Sequence, residues 1–219
     1  SFSVMKNEKV VYSTGYGYAV SENRTKTTPD HLFRLASISK QFTTLCIMVL
    51  YERGLLGIDD LVFGENGILK KEFKIKGQED RITVRHLLQH SAGWTRDQID
   101  PMFNIVRNGK TLDELLQWVL DNQTLKFTPG TNYEYSNVGF SFLGRIVEVV
   151  SGKPYETFLK EDVLKSMGVT DIHVGGGRDE RRPNECVYYS QDGTNGYGNP
   201  MQVIAACGGL IASTNQMMT

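Results

Sequence analysis

Residues 37–54 read SISKQFTTLCIMVLYERG, and this stretch decides how the rest of the chain must be arranged. The pattern predicts a helix from Ser37 to about Arg53, because Gly54 follows and glycine commonly ends a helix. From Phe42 to Leu50 the residues are almost continuously apolar. A helix that is apolar on most of its faces is typical of the buried centre of a protein. We therefore expect the other elements to pack around this helix.

The segments on either side of the central helix are interpreted as strands, further helices and one long loop. The first twenty residues predict a β-hairpin that turns near Asn7 and Glu8. Four more helices are predicted: from Thr83 to before Gly93, from the capping box Thr111–Glu114, from near Ser136 to Ser151, and from Pro154 to Met167. Residues 175–200 are rich in Gly, Asn and Asp, which indicates a loop with one short strand at Cys186–Tyr189.

Strands at one end and helices in the middle predict an α+β fold. The length of 219 residues suits one domain with a sizeable core. We expect a single domain over residues 1–219, composed of an N-terminal hairpin and lead-in (1–35), a mainly helical region (36–170) and a loop-rich region that returns to the core (171–219). A lone hairpin is too little sheet to be stable, so the fold needs further antiparallel strands.

The charge balance excludes a nucleic-acid partner. The chain has 24 Lys and Arg against 25 Asp and Glu, a formal net charge of −1, so it lacks the basic field that phosphate binding requires. Its most apolar run, Leu45–Leu50, is too short for a transmembrane segment. The sequence leaves the compartment and the oligomeric state open.

Neither a metal nor a cofactor is expected. Three cysteines are odd in number and widely spaced, which fits neither a disulfide framework nor a Cys-x-x-Cys metal site. His86 and His90 are spaced four apart and would share a helix face, where they could hold a metal. No third ligand is evident, so a structural role for both histidines is the favoured interpretation.

The strongest candidate for chemistry is the S-x-x-K pattern formed by Ser37 and Lys40. One helical turn brings Lys40 onto the same face as Ser37, and the helix N-terminus favours negative charge on the serine oxygen. A buried lysine loses solvation, which makes its neutral form accessible as a proton acceptor. The same pattern occurs at Ser3–Lys6 on the hairpin, where nothing would activate the serine. The alternative is that Ser37 only caps the helix and Lys40 lies on the surface.

A second candidate is the triplet Tyr135-Ser136-Asn137, which follows Pro129-Gly130, a pair that interrupts regular secondary structure, and precedes a helix. A tyrosine hydroxyl near a lysine can move the serine's proton, and an asparagine amide can hold that lysine and bind a substrate amide. The alternative is a half-buried aromatic residue followed by an N-cap at Ser136 or Asn137. A chance match occurs at Tyr197–Asn199 in the glycine-rich loop.

Together these segments resemble the class C-like branch of the serine β-lactamase and penicillin-binding-protein (DD-peptidase) superfamily. Four segments occur in the order in which that branch has them: Phe33–Lys40, Leu87–Gly93, Pro129–Asn137 and Ala206–Ser213. The resemblance implies a β-lactamase/DD-peptidase-like fold, in which an antiparallel sheet packs with helices beside an all-helical subdomain. Four ordered segments are far more specific than one short motif.

The resemblance also implies a role for each site residue. Ser37 would be the acylated nucleophile, with its own backbone N–H as half of an oxyanion hole, and Lys40 would be its base or electrostatic partner. Tyr135 would transfer protons, and it would also activate water in the absence of the E-x-x-L-N segment of class A enzymes. Asn137 would contact Lys40 and the substrate amide. Gln98 is assigned to substrate binding from its position after the Ser91–Gly93 loop, although no motif fixes it.

The sequence departs from the family in one respect. The third motif, K-T-G or H-x-G, normally follows the A-G-G-L-x-S segment by a long interval, whereas the chain ends at Thr219, soon after Ser213. The one formal match, His173–Gly175, lies upstream of that segment and is interpreted as a chance occurrence. We therefore expect the domain to be incomplete at its C-terminus, without the strands that complete the sheet.

Two functions remain open at this stage. The first is a serine hydrolase that acts through an acyl-enzyme on a small-molecule or peptide-like carbonyl substrate, whether amide, ester or lactam. The second is a catalytically silent scaffold or filament-forming module of the same fold. The set Ser37, Lys40, Tyr135 and Asn137 favours the enzyme, because a silent homologue has no chemical reason to retain all four. The missing third motif favours the scaffold for the 219-residue chain itself, so the enzyme is expected of a longer parent protein and the activity of this chain stays open.

Overall fold

The computed structural model describes residues 1–95, 100–103, 108–192 and 196–219. The fold is α+β, with small antiparallel sheets packed with helices, as predicted. The strands are β1 (Phe2–Lys6), β2 (Lys9–Thr14), β3 (Tyr18–Val20), β4 (Thr25–Lys26), β5 (Phe33–Arg34), β6 (His173–Val174) and β7 (Leu210–Ala212). The α-helices are α1 (Ser39–Glu52), α2 (Val84–Leu88), α3 (Leu112–Asn122), α4 (Asn137–Ser151), α5 (Tyr155–Phe158) and α6 (Ala205–Gly208).

The predicted N-terminal hairpin is present as β1 and β2. Asn7 and Glu8 both adopt left-handed backbone angles (φ 51° and 59°), which is the conformation that a tight turn between two twisted strands requires. Most of its side chains are exposed on both faces. Its contribution to the described core is therefore small, and the core is assembled mainly from the helices.

Helix α1 runs through the core and packs against α4 and α6, as the apolar run predicted. Cys46, Ile47 and Leu50 are fully buried, and the helix ends at Glu52, shortly before Gly54, which is left-handed (φ 68°). Burial on most faces was predicted, and the structure differs on one side. There Leu45, Met48 and Tyr51 are exposed, because the neighbouring helices cover only the opposite face.

Helix α3 begins at the capping box that the sequence indicates, and helix α4 begins and ends where predicted. The Thr111 side chain accepts the Glu114 backbone N–H while the Glu114 carboxylate accepts the Thr111 N–H, forming the predicted capping box. Ser136 caps α4 through the Gly139 N–H (3.1 Å), and Gly152 ends that helix in the left-handed conformation. The first turn of α4 carries Asn137, so its cap fixes part of the candidate site.

The segment predicted as one helix from Pro154 to Met167 is divided into three short helical pieces. Helix α5 continues into a π-helical turn, Leu159–Val163, and a 3₁₀ turn, Leu164–Met167, before left-handed Gly168. Apolar side chains along this segment, including Phe158 and Leu159, are buried, and the segment packs against α1. Burial is therefore kept although the helical geometry changes.

The strand order β5-β7-β6 forms a small antiparallel sheet, in which Phe33 pairs with Ala212 and His173 with Ile211. The strand predicted at Cys186–Tyr189 is wrong. Among the described residues, Glu185 forms an isolated bridge with Leu32 and Tyr189 is a second bridge residue, but no continuous strand joins them. The chain doubles back here, and a Cβ on Gly196 would lie 2.5 Å from the Tyr188 backbone.

None of the helices in the described ranges is both long and apolar enough to cross a bilayer. Within those same ranges no group of three or more His, Cys, Asp or Glu side chains is arranged to hold a metal ion.

Candidate active site

The candidate nucleophile Ser37 lies in a 3₁₀ turn, Ala36–Ile38, that leads directly into α1. The backbone fixes this turn from both sides. Leu35 N–H donates to Leu210 O (2.9 Å), and Leu210 N–H donates to the buried Ser39 hydroxyl (3.1 Å). Ala36 adopts a left-handed angle (φ 47°), which is uncommon for a residue with a Cβ and is found where surrounding structure imposes it. The serine is therefore held between strand β7 and the helix start.

Lys40 is buried, with 6% of its surface exposed, and its ammonium has three acceptors. It donates to Asn137 Oδ1 (2.7 Å), Cys207 O (2.5 Å) and Ser37 Oγ (3.3 Å). An ammonium has three N–H donors, so this geometry uses all of them. Lys40 thus does not lie on the surface, and Ser37 does not cap α1 through its side chain.

Tyr135 reaches Ser37 from the loop before α4. Its hydroxyl lies 2.6 Å from Ser37 Oγ, and its ring lies 4.8 Å from the Lys40 ammonium. The structure therefore brings Ser37, Lys40, Tyr135 and Asn137 into one hydrogen-bonded cluster. Gln98, the remaining predicted site residue, lies outside the described residues.

His90 is a neighbour of this cluster to which the sequence gave a structural role but no place in the site. It lies beyond the end of α2 with a left-handed backbone angle (φ 57°), so it does not share a helix face with His86. Its Nδ1 accepts the Ser136 N–H (3.1 Å), and its ring packs on that of Tyr135 with centroids 4.6 Å apart. Burial and the charge of Lys40 lower the pKa of His90 to about 4. Neutral His90 therefore positions both Tyr135, through ring packing, and Ser136, through a hydrogen bond to its backbone.

The segment after α2 also holds the tyrosine loop through its backbone. Lys126 N–H donates to Gly93 O (2.9 Å), Gly130 N–H to Ser91 O (2.8 Å) and Glu134 N–H to His90 O (2.8 Å). At Gly130 the backbone is left-handed (φ 86°), a conformation that strains a residue with a Cβ, and a Cβ there would lie 2.8 Å from His86 Nε2. The two sequence segments Leu87–Gly93 and Pro129–Asn137 are thus one structural unit.

Helix α6 supplies the third side of the site. Its Cys207 carbonyl accepts from Lys40, and its Ala206 carbonyl accepts from the Thr43 hydroxyl of α1 (2.7 Å). The Cys207 side chain is fully buried, and burial raises the pKa of its thiol to about 11, which keeps it protonated and unreactive. The helix contributes its backbone rather than its thiol.

The H-x-G pattern at His173–Gly175 begins on β6. His173 Nε2 is 2.9 Å from Asp171 Oδ1, and its Nδ1 is 3.7 Å from Glu156 Oε1. Both ring nitrogens therefore face carboxylates, an arrangement that ties β6 to neighbouring segments.

Comparisons with known proteins give consistent relatives. The family model Beta-lactamase matches residues 1–219. A penicillin-binding protein of Bacillus subtilis (strain 168) is 32% identical over 171 residues, covering 75% of this chain and 35% of that protein. Protein flp of Staphylococcus aureus (strain COL) is 29% identical over 170 residues, covering 78% and 33%. The solved octameric penicillin-binding protein homologue from Pyrococcus abyssi is 29% identical with a TM-score of 0.81, covering 99% of this chain and 50% of that one. The chain thus spans about a third of the length of these curated relatives and half of the solved structure.

Proposed function

Because the chain belongs to the beta-lactamase family, a family of serine hydrolases, we propose that it acts through an acyl-enzyme formed on Ser37. The observation that carries the proposal is the 2.6 Å contact between Tyr135 and Ser37 Oγ, with the Lys40 ammonium beside both. A serine hydroxyl is a weak nucleophile near neutral pH, and it needs an adjacent group that accepts its proton. The substrate would be an amide, ester or lactam.

The first half-reaction forms the acyl-enzyme. Ser37 Oγ bonds to the carbonyl carbon while its proton passes to Tyr135, with Lys40 as the base or electrostatic partner of that transfer. The resulting oxyanion would take a hydrogen bond from the Ser37 backbone N–H. The bond to the leaving nitrogen or oxygen then breaks, and that atom takes the proton from Tyr135. The acyl group remains as an ester on Ser37.

The second half-reaction regenerates the serine. Water gives a proton to Tyr135 and attacks the ester carbon, and the returning proton restores the Ser37 hydroxyl as the acid leaves. Asn137 would hold Lys40 through Oδ1 and offer an amide N–H to the substrate carbonyl. Gln98 is proposed to lie on the substrate side of the same site.

The test is intact-mass spectrometry after treatment with a fluorophosphonate probe and, separately, with a penicillin. We expect one adduct on the wild-type chain that is lost in Ser37→Ala. The matched control is Ser3→Ala, which removes the serine of the second S-x-x-K pattern on the exposed hairpin and should leave labelling intact. An equally labelled Ser37→Ala chain would place the nucleophile elsewhere.

The alternative function, a silent scaffold or filament-forming module, makes the opposite prediction. A folded chain of that kind takes no adduct from either probe.

If the chain is labelled, Lys40→Ala should slow labelling by about 10²–10⁴-fold, the range that proton-transfer groups contribute. Labelling at the wild-type rate would show that the lysine serves only packing.

A further inference from the structure

Asp100 contacts the candidate site although no motif includes it. Its two carboxylate oxygens have different partners. Oδ1 accepts the backbone N–H of Met102 (3.1 Å), two residues on, and Oδ2 accepts from Asn137 Nδ2 (2.6 Å). Pro101 and Met102 are buried, so the turn that carries Asp100 is anchored in the core. The carboxylate therefore reaches Asn137 from a fixed base.

The side-chain amide of Asn137 lies between two opposite charges. Its Oδ1 accepts from the Lys40 ammonium (2.7 Å), and its Nδ2 donates to the Asp100 carboxylate. If the amide were turned over, its N–H groups would face an ammonium and its oxygen would face a carboxylate. Both contacts would then be repulsive, so this pair of charges allows only one orientation of the amide.

We propose that Asp100 is a positioning residue for the reaction: it fixes the Asn137 amide so that Oδ1 remains on Lys40. The inference rests on the proposed function, because it assigns Asp100 to the same acylation step. An asparagine amide has two N–H groups. One of them is used by Asp100, which leaves the second as the donor that Asn137 can offer to a substrate carbonyl.

The experiment exchanges the two side chains. In Asn137→Asp alone, two carboxylates face each other, so we expect labelling of Ser37 by the fluorophosphonate to fall by more than about tenfold. Asp100→Asn alone removes the charge that orients the amide and should also slow labelling. In the double variant, the carboxylate now at position 137 would accept from Lys40 and from the amide now at position 100. The substitution at position 100 should therefore be harmful in the wild-type chain and beneficial in Asn137→Asp.

The effect of Asp100→Asn on labelling should thus be opposite in the two backgrounds. A purely structural role would give the same effect in both, because an asparagine at position 100 keeps an oxygen for the Met102 N–H in either background. The fluorophosphonate carries no amide side chain, so its reaction does not need the N–H that the exchange removes. Labelling of the double variant no faster than that of Asn137→Asp would overturn the proposal.

The melting temperature of the same four chains tests the contact independently of activity. If the wild type takes no adduct, the proposed function fails, while Asp100→Asn should still raise the melting temperature of Asn137→Asp and lower that of the wild type. Equal effects of the substitution in both backgrounds would overturn the assignment of Asp100, whether or not Ser37 reacts.

Discussion

The close approach of α4 and α6 at Gly144 gives the sharpest prediction from the packing. A Cβ added at Gly144 would lie 2.6 Å from the Cβ of Ala206, a distance that real Cβ atoms do not adopt. Ala206 is buried and belongs to α6, the helix whose Cys207 carbonyl accepts from Lys40. Gly144→Ala must therefore push the two helices apart, and it would move an acceptor of the Lys40 ammonium.

The change that Gly144→Ala makes in the free energy of unfolding is the sum of two opposing contributions. Alanine favours a helix over glycine by up to about 1 kcal/mol. Overpacking of a tightly packed core costs about 1–3 kcal/mol. The net destabilisation should be about 0–2 kcal/mol. Gly139→Ala in the same helix is the matched control, because the nearest atom to its new Cβ is an ordinary 3.7 Å away. That control should be neutral or slightly stabilising.

Urea unfolding of the three chains measures the difference. We expect the midpoint of Gly144→Ala to lie below that of the wild type and the midpoint of Gly139→Ala to lie at or above it, with unchanged slopes. Labelling of Ser37 should slow in the first variant only. A Gly144→Ala chain as stable as Gly139→Ala would refute the packing argument, because it would mean that α6 moves aside without cost.

Three further predictions concern stability. The pKa of His90 is lowered to about 4 in the folded chain, so between about pH 6.5 and pH 4 the unfolded chain binds a proton more readily than the folded one. The free energy of unfolding should therefore fall by about 1–2 kcal/mol as the pH is lowered through that range, after allowance for solvent screening. His90→Gln should flatten the plot of the urea midpoint against pH. Thr111→Ala removes the capping box of α3 and should cost about 1 kcal/mol in urea unfolding, whereas an unchanged midpoint would show that the cap contributes nothing. Tyr155→Phe leaves the buried Thr43 oxygen without its donor, and a loss of about 1–2 kcal/mol in calorimetry is expected; a neutral result would mean that Thr43 finds another partner.

Local signals in the sequence were sufficient for the element boundaries that depend on neighbouring residues. The capping box at Thr111, an N-cap at Ser136 or Asn137 and a helix end at Gly152 depend on contacts within one helical turn, so the sequence predicted them, and the structure has Ser136 as the cap. The strand at Cys186–Tyr189 failed for the opposite reason. A strand needs a partner along its length, and the described residues there form isolated bridges rather than a continuous ladder.

In the candidate site too, the contact between residues close in sequence was predictable, whereas contacts between distant segments were not. Ser37 and Lys40 are three residues apart, so helical geometry alone predicted that they would meet. The contacts of His90 with Ser136 and of Asp100 with Asn137 join segments 46 and 37 residues apart, and no local pattern marks either pair. Helix α1 was predicted to be buried on most faces because apolar composition does not reveal which side its neighbours cover.

The separation of the site residues along the chain has a consequence for folding. Ser37 and Tyr135 are 98 residues apart, and Lys40 meets the Cys207 carbonyl across 167 residues. Contacts of such long range close large loops, and they form late because the entropy of closure must be overcome before they stabilise anything. A partly folded chain can carry α1 and its serine without any activated hydroxyl. The reactive probe would therefore act as a reporter of completed folding, silent towards intermediates that already possess most of their helices.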